Sequence, residues 1–131
     1  MMPYQTEWYV DKRVILTRYT GIIQIEDIQG QIEETRVMIE EGTPLIHSII
    51  DLSQIEKWPA LNVVNEFRSM DIEQVRERIG WSVIVANNVV LKFGSALFAP
   101  IFNLRQRIFS SLDEALAFLS ENDSSLPNLK K

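Results

Sequence analysis

The chain has one histidine, His47, and no cysteine. Any imidazole base or imidazole metal ligand would have to be His47, and thiol catalysis, disulfides and zinc–thiolate sites are excluded. His47 lies between Ile46 and Ser48 in a run that we expect to form a strand buried on both faces, which favours a hydrogen-bonded core histidine over a base. The sequence therefore predicts no catalytic residue, no metal site and no cofactor.

Asp51 is a carboxylate at the carboxyl end of the same predicted strand. Open α/β sheets bind ligands at that end of their strands. Asp51 and the nearby Ser53, Glu56 and Trp58 are therefore candidates for contact with a ligand or a partner protein. A simpler interpretation is that Asp51 accepts backbone N–H groups of the following turn and fixes its shape.

Other charged residues point to surface roles. Glu33 with Glu34, and Glu40 with Glu41, are adjacent on a predicted helix, where neighbours point about 100° apart and cannot converge on one substrate atom. We interpret them as a solvated helix face. Several arginines could collect an anion if the fold brings them together, although salt bridges to the excess of acids are favoured; they are Arg68, Arg76, Arg78, Arg105 and Arg107.

These residues must be positioned by strands that alternate with helices. Residues 4–9 and 14–20 are rich in β-formers and predict a hairpin, and apolar residues three to four apart predict a helix from residue 25 that ends at Gly42. The apolar run 45–52 predicts the central strand, followed by a polar turn over residues 54–59. Further elements are a helix from about residue 60, a short segment capped by Asp71, a buried strand at 81–86, a helix at 89–103, an edge strand at 107–109 and a last helix capped by Ser110 or Ser111.

This order of elements indicates the α/β class, with a mixed β-sheet, an opening hairpin and covering helices. The length of 131 residues fits one domain. We place that domain at residues 1–121 and expect residues 122–131 to form a polar C-terminal tail.

The predicted helix 89–103 is apolar on more than one side. One stripe is sufficient to pack on the sheet, and Leu91, Phe98 and Phe102 form a second stripe on a different side. Three explanations remain open for the second stripe: cover by neighbouring elements of the same chain, an interface in a homodimer, or a groove for an apolar ligand.

The net charge of -5, with basic residues scattered among acids, makes nucleic acid an unfavourable partner. No apolar run approaches the roughly 20 residues that span a bilayer, and the N-terminal residues lack the pattern of a signal peptide. We therefore expect a cytoplasmic protein without membrane insertion.

Four segments of the chain resemble the STAS-like proteins, in particular their SpoIIAA-like branch, which has the fold of the bacterial anti-sigma-factor antagonists. They are Gly21 with the helix opened by Glu26-Asp27, the strand end Ile50-Asp51-Leu52-Ser53, Gly80-Trp81 leading into VIVA, and residues 107–119, RIFSSLDEALAFL. Together these segments span most of residues 10–120. The resemblance implies the SpoIIAA-like fold and a non-enzymatic role in regulation through protein contacts.

In the family that the chain resembles, a serine in a D-S-S-G-like turn after the strand end is phosphorylated by a partner kinase. Here that stretch reads Gln54-Ile55-Glu56-Lys57-Trp58-Pro59, which has no hydroxyl, and Ser53 is better interpreted as a turn or cap former. Our leading hypothesis is a homodimeric regulatory or protein-interaction module without the phosphoserine switch. The alternatives are a small-molecule carrier or enzyme with an apolar pocket between the 89–103 helix and the sheet, and a degenerate phosphorelay receiver.

Overall fold

The computed structural model describes residues 3–42, 45–57, 77–87 and 105–127. These residues form a five-stranded sheet in the order β1-β2-β3-β4-β5, with two helices, α1 between β2 and β3 and α2 after β5. The elements are β1 (Tyr4–Val10), β2 (Val14–Ile22), α1 (Ile25–Glu41), β3 (Ile46–Lys57), β4 (Ile79–Val85), β5 (Gln106–Phe109) and α2 (Leu112–Asn122). The predicted α/β class with a mixed sheet is confirmed.

The hairpin pairs β1 with β2 in antiparallel orientation, and every other strand pair is parallel. The strand β3 occupies the centre of the sheet, and Ile49 lies opposite Val83 of β4. Both residues are fully buried. The predictions of a central strand near residues 45–52, a neighbouring buried strand and a short edge strand at β5 are confirmed.

The two helices cover opposite faces of the sheet. Side chains alternate between these faces along each strand, so each strand contributes to both cores. The core beneath α2 consists of Val14, Leu16, Ile49, Val83, Val85, Ala115, Leu116 and Leu119. The core beneath α1 consists of two clusters, one of Tyr4, Tyr19, Ile23, Ile28, Leu52, Ile84 and Ala86 and one of Ile15, Ile39, Ile46 and Ile79. Neighbours such as Ile15 and Leu16 therefore belong to different layers.

The ends of both helices are fixed by local hydrogen bonds. Asp27 accepts the backbone N–H of Gln24 at 2.8 Å, which satisfies a group left open at the start of α1. Gly42 donates its N–H to the Ile39 carbonyl at 3.1 Å where α1 ends. At α2 the Ser111 hydroxyl accepts the N–H of Glu114 at 3.2 Å, so Ser111 is the cap that the sequence predicted as one of two serines.

A buried polar network fixes α1 against β2. The Gln31 amide nitrogen donates to the hydroxyls of Thr17 at 3.1 Å and Thr35 at 2.7 Å, and its amide oxygen accepts from the Tyr19 hydroxyl at 3.2 Å. Burial is the main cause that raises the pKa of Tyr19, so this hydroxyl stays a donor. A sideways shift of the helix would leave these buried groups unpaired, so the network selects one register.

The strand β3 is longer than the sequence predicted. The expected turn at residues 54–59 is wrong for 54–57, because β3 continues through Lys57. The reason is the length of β2, whose residues Gly21 and Ile22 pair with Ile55 and Lys57. The strand β4 likewise begins at Ile79, two residues before the predicted start.

Several predictions concern residues outside the described ranges. They are the helix from about residue 60, the segment after Asp71, the helix 89–103 with Leu91, Phe98 and Phe102, and the residues Trp58, Arg68 and Arg76. The division into a domain at 1–121 and a tail at 122–131 also stays a prediction. Within the predicted tail, Asn122 is the last residue of α2, and Leu126 packs against the core beneath α2.

Candidate functional site

The carboxyl ends of β2, β3, β4 and β5 lie at one edge of the sheet because these strands are parallel. This edge carries the described candidates Asp51, Ser53 and Glu56. The Oδ1 of Asp51 accepts the backbone N–H of Ser53 at 2.9 Å, and its Oδ2 lies 4.0 Å from Nε of Arg18 on the neighbouring strand. Asp51 is an acceptor for the backbone that follows it, as the simpler interpretation expected, but that backbone is part of β3 and not the expected turn.

A bulge in β3 explains why Asp51 takes this role. Arg18 lies opposite Asp51 and Thr20 lies opposite Gln54, so β3 has one more residue than β2 over this interval. An extra residue in one strand disturbs the ladder and leaves backbone groups to be satisfied elsewhere. Asp51 supplies that acceptor for Ser53 from within the strand itself.

A second bulge follows at Glu56. Gly21 pairs with Ile55 and Ile22 pairs with Lys57, which leaves Glu56 as the additional residue. Gly21 has a φ of 74°, a left-handed conformation that favours glycine, and a Cβ at this position would lie 3.9 Å from the Glu56 carboxylate. Glu56 is exposed, and the neighbouring Ile22 side chain is 56% exposed.

We define the carboxyl-edge surface as Arg18, Gly21, Ile22, Asp51, Ser53 and Glu56. It combines an exposed aliphatic side chain with a loose ion pair, in which Arg18 is 52% exposed and Asp51 is 13% exposed. Aliphatic contact and paired charges are the features by which proteins recognise one another.

His47 lies at the opposite edge, near the amino end of β3, and is 5% exposed. Its Nδ1 accepts the backbone N–H of Trp81 at 3.1 Å, so Nε2 carries the ring proton and donates to Oδ2 of Asp123 at 2.8 Å. Both ring nitrogens are therefore occupied, and neither offers a lone pair to a substrate. The prediction of a hydrogen-bonded core histidine is confirmed.

A bulge in β4 places the Trp81 N–H against the imidazole. Ile46 lies opposite Ile79 and Ser48 lies opposite Ser82, so β4 has the extra residue here. The ring lies against Gly80, where a Cβ would be 2.8 Å from both Cε1 and Nδ1 of His47. Glycine at this position is what allows the ring to approach the strand.

Asp123 is the residue of this edge that the sequence did not single out. Its carboxylate accepts the Nε2–H of His47, lies 3.4 Å from the Arg13 guanidinium, and accepts both the N–H at 3.0 Å and the hydroxyl at 2.5 Å of Ser125. Hydrogen bonds from Ser125 first, and then from His47, lower the pKa of Asp123 to about 2. Two features of the sequence could have indicated this role of Asp123. They are the Asp123-Ser124-Ser125 turn pattern and a single histidine that needs a hydrogen-bond partner when buried.

The arginines divide into two groups. Arg78 donates to the Gly42 carbonyl at 3.1 Å. Arg105 and Arg107, for which salt bridges were favoured, instead lie over aromatic rings, at 5.5 Å from the centroid of Trp81 and 5.2 Å from that of Phe118. Among the described residues, neither of these two arginines has a carboxylate partner.

The part of the chain that the structure describes contains no group of three or more histidine, aspartate or glutamate side chains placed to hold a metal ion. In the same part of the chain, no helix is long and apolar enough to cross a bilayer.

Comparison with known proteins supports the fold. No protein-family model matches the sequence, and no curated protein sequence matches it. The structure is similar to that of an uncharacterised protein of the DUF3478 family with a SpoIIAA-like fold from Shewanella loihica, with a TM-score of 0.62, 13% identity, and coverage of 88% of this chain and 91% of that one. An anti-sigma factor antagonist from Mycobacterium paratuberculosis has a TM-score of 0.50 and 14% identity with the same coverage of both chains. The chain has a SpoIIAA-like fold, as the resemblance implied.

Proposed function

We propose that this protein is a non-enzymatic regulatory module that binds a partner protein through the carboxyl-edge surface. The observation that carries the proposal is that the carboxyl ends of β2 and β3 hold two bulges of β3, the exposed Ile22 and Glu56, and the loose Arg18–Asp51 pair. Further support comes from the fold, which is shared with a protein described as an anti-sigma factor antagonist. Trp58, which lies outside the described residues, remains part of the proposed contact on the basis of the sequence.

The module is proposed to act without a phosphoserine switch. Residues 54–59 offer no hydroxyl, and Ser53 lies within β3 rather than in a loop. Intact mass measured before and after phosphatase treatment of protein from its native host tests this point. We expect no change, and a phosphate on Ser53 whose removal alters partner binding would overturn it.

A homodimer is the second part of the proposal, through Leu91, Phe98 and Phe102. An apolar stripe exposed on a monomer would be buried by association, at about 1.5–3 kcal/mol for each large side chain. Light scattering should give a dimer for the native chain and a monomer for Phe98→Glu with an unchanged circular dichroism spectrum. A native mass that shows a retained small molecule instead would favour the carrier.

Quantitative affinity capture from native cells tests partner binding. The double variant Ile22→Glu with Glu56→Lys changes exposed side chains only, so the fold should persist. Val37→Glu is the matched control, because Val37 is 47% exposed but lies on α1, away from this edge. We expect one protein to be enriched by the native chain and by the control and lost from the double variant. Equal capture by all three proteins would reject the carboxyl-edge surface.

A further inference from the structure

A second surface lies on the α2 face of the sheet beside the edge strand β5. We call it the arginine–aromatic patch and define it as Trp81, Arg105, Arg107 and Phe118. Arg107 lies opposite Val83 in the pairing of β5 with β4, and the Arg105 carbonyl accepts the Ser82 N–H at 2.8 Å, so the ladder fixes the backbone of both arginines. Since side chains two residues apart share a face, both arginines point toward α2.

The aromatic rings form a platform under the two guanidinium groups. The Trp81 and Phe118 rings meet edge to face, with centroids 4.9 Å apart and planes at 86°, and Phe109 adjoins Phe118 at 5.3 Å. The Cζ of Arg105 lies 5.5 Å from the Trp81 centroid, and the Cζ of Arg107 lies 5.2 Å from the Phe118 centroid. Both distances are within the roughly 6 Å over which a cation is attracted to a ring.

The hydrogen-bonding capacity of the two guanidinium groups is unused within the described part of the chain. Both side chains are exposed, and no described acceptor or carboxylate pairs with either one. A guanidinium presents planar N–H forks that match a carboxylate in two parallel hydrogen bonds. Contact with a ring reduces the rotational freedom of the side chain, so less entropy is lost when the fork binds.

The composition of the patch indicates a protein partner. Tryptophan, other aromatics and arginine are the residues that dominate binding energy at protein interfaces, and here the two rings are half-buried, so part of each remains available for contact. Nucleic acids and anionic membranes gain affinity from many basic contacts, whereas this patch supplies two on a chain of net charge -5.

We propose that the arginine–aromatic patch binds an acidic segment of a partner protein, with one carboxylate on each arginine and an apolar side chain between them on the rings. Residues two apart on a strand are separated by about 7 Å, which is also the spacing of alternate residues in an extended peptide. A segment with acidic residues at alternate positions therefore matches Arg105 and Arg107. The patch is distinct from the carboxyl-edge surface, so failure of one proposal leaves the other intact.

Nuclear magnetic resonance titration of the full chain tests the patch with two capped peptides of defined sequence. The probe is acetyl-Ala-Glu-Leu-Glu-Ala-amide, and the control peptide has glutamine in place of both glutamates. We expect the glutamate peptide to give saturable shifts at the Trp81 indole N–H and the Nε–H of both arginines. The glutamine peptide should bind at least about tenfold more weakly, because it lacks the charge that each fork recognises.

Three variants assign the binding to the guanidinium groups. Arg105→Gln with Arg107→Gln should weaken binding at least about tenfold. Arg105→Lys with Arg107→Lys keeps both charges but removes the planar forks, so an intermediate loss is expected. Arg36→Gln is the control, because Arg36 lies on α1, outside both proposed surfaces, and this variant should bind the peptide as the native chain does.

Several outcomes would overturn the proposal. They are the absence of saturable shifts at millimolar peptide, equal binding by the double glutamine variant, and equal binding of the two peptides. Arginine-dependent binding of inorganic phosphate or of phosphatidylserine vesicles without binding of the glutamate peptide would also reject a protein partner. Self-association that is lost in the double glutamine variant would assign the patch to a second copy of the chain instead.

Discussion

The two ends of the central strand β3 share one structural feature and differ in how completely the side chains there are hydrogen-bonded. At the amino edge, a bulge in β4 presents the Trp81 N–H to His47, and at the carboxyl edge a bulge in β3 presents the Ser53 N–H to Asp51. In both places a side chain of β3 accepts a backbone group at a bulge. His47 is 5% exposed and hydrogen-bonded on both ring nitrogens, whereas the nearest charged partner of Asp51 Oδ2 among the described residues is an arginine at 4.0 Å.

The difference separates stability from binding. The cluster at the amino edge contributes to folding because the buried imidazole of His47 would be unpaired without the Trp81 N–H and the Asp123 carboxylate. At the carboxyl edge, Asp51 can exchange its weak contact with Arg18 for a contact with a group on another molecule. Bulges are enriched at sheet edges and next to functional sites, where they redirect side chains. The His47–Asp123 contacts therefore anchor the sheet at the amino edge, and the carboxyl edge is the side we propose for the regulatory contact.

The largest effect is expected for His47→Ala. The substitution leaves the Trp81 N–H without its acceptor, removes the donor to Asp123 and opens a cavity above Gly80. We expect the free energy of unfolding to fall by about 3 kcal/mol, measured by chemical denaturation. Arg36→Ala is the control, since its ion pairs lie on the exposed face of α1 and should be worth less than about 0.5 kcal/mol. Similar losses in the two variants would mean that the hydrogen bonds of His47 stabilise the fold no more than exposed ion pairs do.

A double-mutant cycle sharpens this result. In Gly80→Ala the new methyl group would lie 2.8 Å from the His47 ring, which cannot turn away without losing its hydrogen bonds, and we expect a loss of about 2 kcal/mol. In the His47→Ala background the same change should cost well under half as much, because the ring is gone. Equal costs in both backgrounds would place the clash elsewhere.

The strands and helices of this fold could be predicted from local patterns, but the contacts between distant segments could not. Asp51-Leu52-Ser53 has the composition of a strand end, yet β3 continues because the neighbouring β2 reaches Ile22 and offers it a partner. The end of β3 therefore depends on the length of β2, which a local pattern in β3 does not contain. Asp123 looks like any polar residue after a helix, and its partner His47 is 76 residues away.

Within the described part of the chain, the contacts of Arg105 and Arg107 likewise depend on neighbouring elements. The excess of acids in the composition favoured salt bridges, but a strand fixes which face a side chain occupies before it can choose a partner. On the α2 face the neighbours are Trp81 and Phe118. The register of the strand, which composition does not contain, determines which groups a charged side chain can contact.

The third prediction concerns the pH dependence of stability that Asp123 causes at the amino edge. The folded pKa of Asp123, about 2, lies below its ordinary value of 3.8, so its contribution to stability is present above pH 4 and is lost as the pH falls toward 2. Allowing for solvent around a side chain that is 24% exposed, we expect about 1 kcal/mol. Asp123→Asn should lower stability at neutral pH and flatten the dependence between pH 4 and 2 in denaturation experiments. An unchanged slope would mean that other carboxylates cause it.

The smallest effect on stability is expected for Asp51→Ala. The variant removes the acceptor of the Ser53 N–H, but both residues are only half-buried, so water can take the place of the carboxylate. We expect a loss of about 0.5–1 kcal/mol by the same denaturation, clearly below that of His47→Ala. Capture of the partner should fall in Asp51→Ala because Arg18 loses the carboxylate that positions it at the surface. A loss as large as that of His47→Ala would show that Asp51 anchors the carboxyl edge as His47 anchors the amino edge, and the number of hydrogen bonds would then no longer distinguish a binding edge from an anchoring one.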